Sequence, residues 1–348
     1  MIGVKDMRPG SRQKQGVGQA GDGDKEMTVV PEIHPEAAKP SKYDALIAMA
    51  ANTPDAVTIV VHPCDEPSLR GPIEAARAGL IAPIFVGPQA KIRNVAAEHG
   101  IDLAGCQIVD VPHSHAAAEK AVAMIREGKG EVLMKGSLHT DELMREVTSS
   151  ATGLRTARRI SHVFVMDVPG HEDTLFITDA AINIFPDLDT KRDIVQNAID
   201  LLLALGIESP RVAILSAVET VTTKIPSTIE AAALCKMAER GQITGGLLEG
   251  PLAFDNAIDP EAARIKGIGG PVAGRAQVLV VPDLEAGNML AKNLTFLAHA
   301  DAAGIVLGAR VPIVLTSRAD SVRTRMASCA VAAIEAAARR KTAKVVAA

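Results

Sequence analysis

From residue 41 onward, short β-branched runs alternate with longer alanine-rich stretches, and this alternation constrains the fold more than any other feature of the chain. The runs at 57–61, 82–86, 107–111, 132–134, 163–166, 175–178, 212–215, 278–281, 304–307 and 313–315 are too short for helices. They carry Val, Ile and Leu at consecutive positions, as strands buried on both faces do. Between them, 114–127, 189–205, 227–240, 284–298 and 321–340 have helical length and composition. Strand–helix alternation predicts parallel sheets with helices on both faces. Ligands bind such sheets where the carboxyl ends of strands run into loops. A chain of 348 residues is long enough for two domains. Residues 1–40, rich in Gly, Gln, Asp and Lys and without an apolar period, are expected to form a disordered leader.

Composition removes several classes of function. A formal net charge of -4, no Trp, one Tyr and six Phe leave neither the basic surface nor the stacking rings of a nucleic-acid binder. No stretch reaches the roughly 18 apolar residues of a membrane helix, and the N-terminus does not resemble a signal peptide. Cys64, Cys106, Cys235 and Cys329 lie far apart, with no CxxC pair and no Cys/His cluster at zinc spacing. They are expected to be small buried thiols in a reduced, cytoplasmic protein.

The polar residues that carry chemistry sit in the loops at strand ends. Gly267–Gly274 contains several glycines, but a polar helix-like segment precedes it and the strand follows it, the reverse of a dinucleotide-binding loop. Its glycines are expected to let the backbone approach a neighbour closely. Asp187, Asp189, Asp141 and Glu142 lack the companions of an oxygen-ligand cage, and Asp189 fits a helix N-terminus. His113 and His115 fall at a helix start and His139 in a loop. Lys135 leaves a strand just before Gly136, placed either to hold a phosphate as a point charge or to stand as a solvated rim residue. The same alternative holds for Arg145. Ser317 and Arg318 end an apolar strand, with a hydroxyl to polarise a carbonyl or phosphoryl oxygen and a planar fork suited to phosphate. Asp320 adds a carboxylate within reach; alternatively Asp320 or Ser321 caps the long last helix.

Four ordered motifs then carry a resemblance: Glu249-Gly250-Pro251-Leu252-Ala253-Phe254-Asp255-Asn256-Ala257, Pro271-Val272-Ala273-Gly274, Val281-Pro282-Asp283-Leu284-Glu285-Ala286-Gly287-Asn288 and Thr316-Ser317-Arg318-Ala319-Asp320-Ser321. Over residues 41–340 the chain resembles the phosphate acetyl/butyryltransferase family. The resemblance implies an α/β fold of two three-layer α/β domains with parallel-type sheets around a cleft, like that of isocitrate and isopropylmalate dehydrogenases. Domain 1 would comprise 41–147 plus 294–348, and domain 2 would comprise 148–293. The implied reaction moves an acyl group reversibly between CoA and phosphate, by direct attack of the CoA thiolate on the acyl phosphate. Ser317 and Arg318 are implied to stabilise the transition state.

Acetyl-type members place a catalytic Asp seven residues beyond the Ser, where this chain has Thr324. Asp320, within the Ser-Arg-Ala-Asp-Ser form of butyryl-type members, is then the nearest carboxylate for the base. Lys135, His139, Thr140, Arg145, Asp179, Asn183, Asp255, Asn256, Asp283 and Asn288 are the candidate substrate contacts. Acetyl is the expected acyl group; a butyryltransferase and a non-catalytic CoA-binding protein are the alternatives. CoA enters as a substrate, no metal or other cofactor is expected, and neither is a nucleic-acid or membrane partner. The protein is expected to be a homo-oligomer.

Overall fold

The structure is a computed structural model that describes residues 41–315 and 320–347, with side chains up to 342. The expected leader 1–40, and Thr316, Ser317, Arg318 and Ala319, lie outside the described residues. The first part of the chain forms α1 (Lys42–Ala51), β1 (Ala56–Val61), α2 (Glu66–Arg77), β2 (Ile81–Gly87), α3 (Gln89–Glu98), β3 (Gln107–Asp110), α4 (Ser114–Arg126), β4 (Val132–Lys135) and α5 (Thr140–Thr148). The middle forms β5 (Ser161–Asp167), β6 (Leu175–Thr178), α6 (Leu188–Ala204), β7 (Arg211–Leu215), α7 (Pro226–Glu239), β8 (Leu247–Leu252), α8 (Phe254–Ile258), α9 (Pro260–Ile265), β9 (Val278–Val280) and α10 (Leu284–Leu297). The chain then returns through β10 (Asp301–Leu307), β11 (Ile313–Val314) and α11 (Val322–Ala347).

All the strands among the described residues join one eleven-stranded sheet in the order β3-β2-β1-β4-β11-β10-β5-β6-β9-β7-β8. Both flanks are parallel, as strand–helix alternation predicts. The centre is not: β10 runs antiparallel to both β11 and β5, and β5 antiparallel to β6. The physical reason is connection length. Residues 168–174 join β5 to β6 and residues 308–312 join β10 to β11. Neither link has the dozen or so residues that a parallel crossover needs. The sheet therefore runs unbroken through both segments assigned to separate domains. The boundaries expected at 147/148 and 293/294 fall within the last turns of α5 and α10.

Helices cover both faces. On one, α1, α2 and α11 pack together, with Leu69, Phe85, Val163, Ala330 and Val331 fully buried in a shared core that extends to α6 and α7. On the other, α4 and α5 bury Ala117, Ala121, Leu143 and Val147 against Ile59 and Leu133. A third core, with Met166, Ile177, Leu279 and Ala291, fills the space around β6 and β9. Tyr43, the chain's single tyrosine, is fully buried; its hydroxyl donates to the Val165 carbonyl (2.6 Å) and accepts from the Ala303 N–H. It ties α1 to the β5–β10 seam.

Helix starts follow from side chains in the sequence. Asp65, Asp187 and Asp283 accept from the N–H groups of Ser68, Thr190 and Ala286 at the starts of α2, α6 and α10. His113 does the same through Nδ1 for Ala116. Asp189 sits in the first turn of α6, as expected. In the glycine run, Gly274 has φ 72° and lies so close to Pro260 that a Cβ there would be 2.5 Å from its Cα. This is the close approach inferred from the sequence. Among the described residues, no helix is long and apolar enough to cross a membrane, and no three His, Cys, Asp or Glu side chains converge as metal ligands.

Candidate active site

Parallel pairing of β11 with β4 brings their carboxyl ends side by side, and a cavity of about 540 Å³ opens there. Its floor is the central antiparallel pair, with His162 and Phe164 from β5 and Ala302 and Gly304 from β10. Gly304 pairs with Phe164, and Ala302 with Met166. These alternate positions therefore share one face of the sheet. The exit of β4 supplies Lys135, Leu138, His139 and Thr140; the exit of β11 supplies Leu315 and Asp320; the turn after β6 supplies Ala181.

Lys135 is the last residue of β4 and is 8% exposed. Its ammonium donates to the carbonyls of Gly136 (3.2 Å) and Leu138 (3.3 Å). The loop that carries these carbonyls is pinned to the end of β1. Gly136 N–H donates to the Val61 carbonyl (2.9 Å), and the Ser137 hydroxyl donates to the His62 carbonyl (2.7 Å). A Cβ on Gly136 would stand 2.3 Å from the Val61 carbonyl oxygen, so only glycine permits this approach. His139 precedes α5 without capping it through its side chain, and Thr140 is the first helical residue. Asp141 and Glu142 occupy the first turn, where Glu142 accepts from the Ser114 hydroxyl (2.7 Å).

Asp320 stands just before α11. The Thr324 N–H in the first turn donates to the Ser321 hydroxyl (3.1 Å), so Ser321 is the residue that caps this helix. The Asp320 main-chain carbonyl accepts from Arg325 Nε (3.4 Å). Arg325 is itself buried; burial pulls its pKa down, and the nearby carboxylates of Asp320 and Asp65 oppose that. Thr324, at the position where acetyl-type members carry Asp, is engaged with Ser321 through its hydroxyl (3.1 Å).

Asp179 and Asn183 build the wall that presents Ala181. The Asp179 carboxylate accepts from the N–H groups of Ala181 (3.0 Å), Ile182 (3.1 Å) and Asn183 (3.1 Å), and from the Asn183 amide (2.6 Å). Burial pushes its carboxyl pKa up, against the downward pull of these donors. Asn183 also donates to the Ile160 carbonyl (2.9 Å). Asn288 reaches the Ala180 carbonyl (3.4 Å), and Gly287 packs on Ala180 so closely that a Cβ would come within 2.8 Å. Gly287 and Asn288 therefore buttress this turn from α10, whose start Asp283 caps. Arg145 does not line the cavity; it lies on the outer side of α5, against His115 Nδ1 (3.1 Å) and Glu146 (3.6 Å). Asp255 and Asn256 belong to a separate polar cluster. Lys266 bridges Glu219 (2.7 Å) and Asp255 (3.4 Å), and the Asn256 amide donates to Glu219.

Sequence reasoning passed over His162. Its ring is 3% exposed, meets Phe164 edge-on at 4.4 Å between centroids, and has no hydrogen-bond partner at Nδ1. Burial pushes its pKa down to about 4, so it is neutral at neutral pH. The available signal was a lone imidazole alternating with Phe164 along an otherwise apolar strand. None of the four cysteines lines the cavity, and burial raises the pKa of Cys64 and Cys235 to about 11 and of Cys329 to about 12.

Residues 112–333 match the phosphate acetyl/butaryl transferase family. The chain is 81% identical over 310 residues to a phosphate acetyltransferase of Rhizobium meliloti, covering 89% of this chain and 98% of that one. It is 43% identical over 272 residues to a phosphate butyryltransferase of Clostridium acetobutylicum, covering 78% and 90%. Among solved structures, a branched-chain phosphotransacylase from Enterococcus faecalis V583 superposes with a TM-score of 0.69 at 29% identity, over 80% of this chain and 99% of that one.

Proposed function

Since the chain belongs to the phosphate acetyl/butaryl transferase family, we propose that it transfers an acyl group, acetyl in preference to butyryl, reversibly between CoA and inorganic phosphate in the cavity over β5 and β10. The observation that carries this reading is the convergence of Lys135, His139, Thr140 and Asp320 at the exits of β4 and β11; Asp320 follows Ser317 by three residues in the sequence. The 81% identity to a phosphate acetyltransferase favours acetyl.

In this reading the CoA thiol gives its proton to the Asp320 carboxylate. The thiolate sulfur then attacks the carbonyl carbon of the acyl phosphate, forming the C–S bond. The tetrahedral oxyanion collapses, the C–O bond to phosphorus breaks, and phosphate leaves with that electron pair. Ser317 and Arg318 stabilise the oxyanion and the leaving phosphate. Lys135 supplies a fixed positive charge on the approach. The absence of a cysteine from the cavity lining supports direct transfer over an acyl-cysteine intermediate. No cofactor beyond the substrate CoA takes part, and the working compartment is the cytoplasm, where the four thiols stay reduced. The working form is a homo-oligomer.

The test mixes acetyl phosphate with CoA and follows acetyl-CoA formation, then runs acetyl-, propionyl- and butyryl-CoA with phosphate in the reverse direction. Acetyl should give the highest kcat/KM, undiminished after exhaustive chelation. Binding of CoA without turnover would replace the reading with a CoA-binding protein, and a preference for butyryl would move the chain to the other branch.

A further inference from the structure

The cavity lining is of two kinds. Lys135, His139, Thr140 and Asp320 are polar and lie at strand exits, whereas Phe164, Ala302 and Leu315 form an apolar surface. His162 belongs to neither group. It is a polar side chain set within the sheet floor, and its buried Nδ1 has no hydrogen-bond partner among the described residues. A buried polar group without a partner is costly. A partner that arrives with the substrate removes that cost.

The strand opposite is shaped around the ring. A Cβ on Gly304 would stand 2.7 Å from His162 Nε2, so glycine is what lets the imidazole lie over β10. Phe164 holds its other side edge-on. An acyl group presents two features to such a floor: a carbonyl oxygen that accepts a hydrogen bond and a hydrocarbon chain that needs apolar walls. A neutral imidazole has one N–H to donate and a ring to close space.

We propose that His162 is the residue that reads the acyl group: it donates a hydrogen bond to the acyl carbonyl oxygen, and its ring, held between Phe164 and Gly304, blocks the space a longer chain would fill. This rests on the reading of the cavity as the site of acyl transfer. His162 is a specificity-determining residue, distinct from the groups that move the proton or hold the phosphate.

The experiment measures thiol release from acetyl-, propionyl- and butyryl-CoA with phosphate for the full chain and three variants. His162→Ala removes both features. It should lower kcat/KM for acetyl-CoA about tenfold or more and raise the butyryl-to-acetyl ratio by about tenfold, the scale on which pockets discriminate methylenes. His162→Phe keeps the wall and loses the donor, so all three substrates should slow while the ratio stays near that of the wild type. Gly304→Ala leaves the imidazole present but displaces it, and should lower the acetyl rate as well. Should His162→Ala fail to fold, the other two variants still decide.

A purely structural role would lower the yield of folded enzyme without moving the selectivity ratio. An unchanged ratio in His162→Ala, or a full rate in His162→Phe, overturns the proposal. Wild-type protein that releases no thiol from any acyl-CoA overturns the reading of the cavity itself. Active wild type with indifferent variants overturns only the role of His162.

Discussion

His162 ties stability to pH in a direction that can be worked out. Burial lowers its pKa from 6.5 to about 4 in the folded state. As pH falls through 6.5 the unfolded chain takes up a proton that the folded chain refuses until about 4. The contribution to stability is therefore intact above pH 6.5 and is lost progressively between 6.5 and 4. The full loss is about 3 kcal/mol. Burial also lowers the pKa of His62 and His171, so the informative quantity is a difference. Denaturant unfolding of wild type and His162→Phe from pH 8 to 4 should show the wild type losing more stability, and parallel curves would contradict the burial argument. Asp320 and Ser321 separate in the same manner. Asp320→Asn should leave the α11 cap in place, since Ser321 supplies it, while the loss of the carboxylate beside buried Arg325 lowers Tm modestly and turnover drops by about a hundredfold. That loss should shrink as pH rises toward the thiol's own pKa near 8.5. Ser321→Ala should instead lose about 1 kcal/mol of stability. An active Asp320→Asn enzyme with an unchanged pH profile would move the base elsewhere, with His139 next. Lys135, His139, Thr140 and Asp320 were legible in the sequence because strand exits point at clefts. Arg145 was misleading because its helix turns it outward. His162 was illegible because nothing in one sequence tells a strand histidine in a core from one in a floor.

Which elements form was readable where β-branched runs stand between helical stretches, and failed where a strand breaks the pattern. β8 contains Glu249-Gly250-Pro251, a trio that argues against a strand, yet it pairs in parallel with β7. It sits at the edge of the sheet, where proline is tolerated. The antiparallel centre had a visible cause, since no helical stretch separates 163–166 from 175–178. Alternation was the stronger pattern and masked it. The most exacting element is the turn after β4. Gly136→Ala has a permitted backbone conformation but drives a Cβ against main-chain atoms at 2.3–2.8 Å. It should cost about 2 kcal/mol through overpacking, and lower kcat/KM because Lys135 and His139 shift with the loop. Gly128→Ala is the control. At φ 73° with nothing within 4 Å, it meets only the left-handed backbone penalty of about 1 kcal/mol and should leave kcat/KM unchanged. Equal activity losses in the two variants would show that the β4 exit has no special hold on the cavity.

At the scale of the whole molecule, the two expected domains share one sheet, so the seam between them is the seven-residue ladder between β5 and β10. We propose the division there, with 149–160 and 298–300 as the links, which would put the cavity on the seam. Among the described residues, one helix face beyond it is exposed. α10 buries only Gly287 and Ala291 and leaves Met289, Phe296 and Leu297 at 59%, 75% and 78% exposure. Met289 and Phe296 are seven residues apart and so share a helix face. The Leu284 N–H donates to the Ile184 carbonyl (3.1 Å), which sets Ile184 and Phe185, 61% and 78% exposed, beside the start of the same helix. Exposed large apolar side chains thus stand at both ends and the middle of α10, a surface of the kind that marks an association site. In the homo-oligomer proposed above, a second copy packed about a two-fold axis would present the same side chains in return. Sedimentation velocity at micromolar concentration should therefore give twice the mass of one chain. Met289→Lys combined with Phe296→Lys should give the monomer, with unchanged helicity because both side chains are exposed. Because Asn288 and Gly287 on this helix buttress the Ala180–Ala181 turn, the monomer should also show a raised KM with its chain-length preference intact. A wild-type chain that sediments as a monomer would leave the patch without a second copy to cover it.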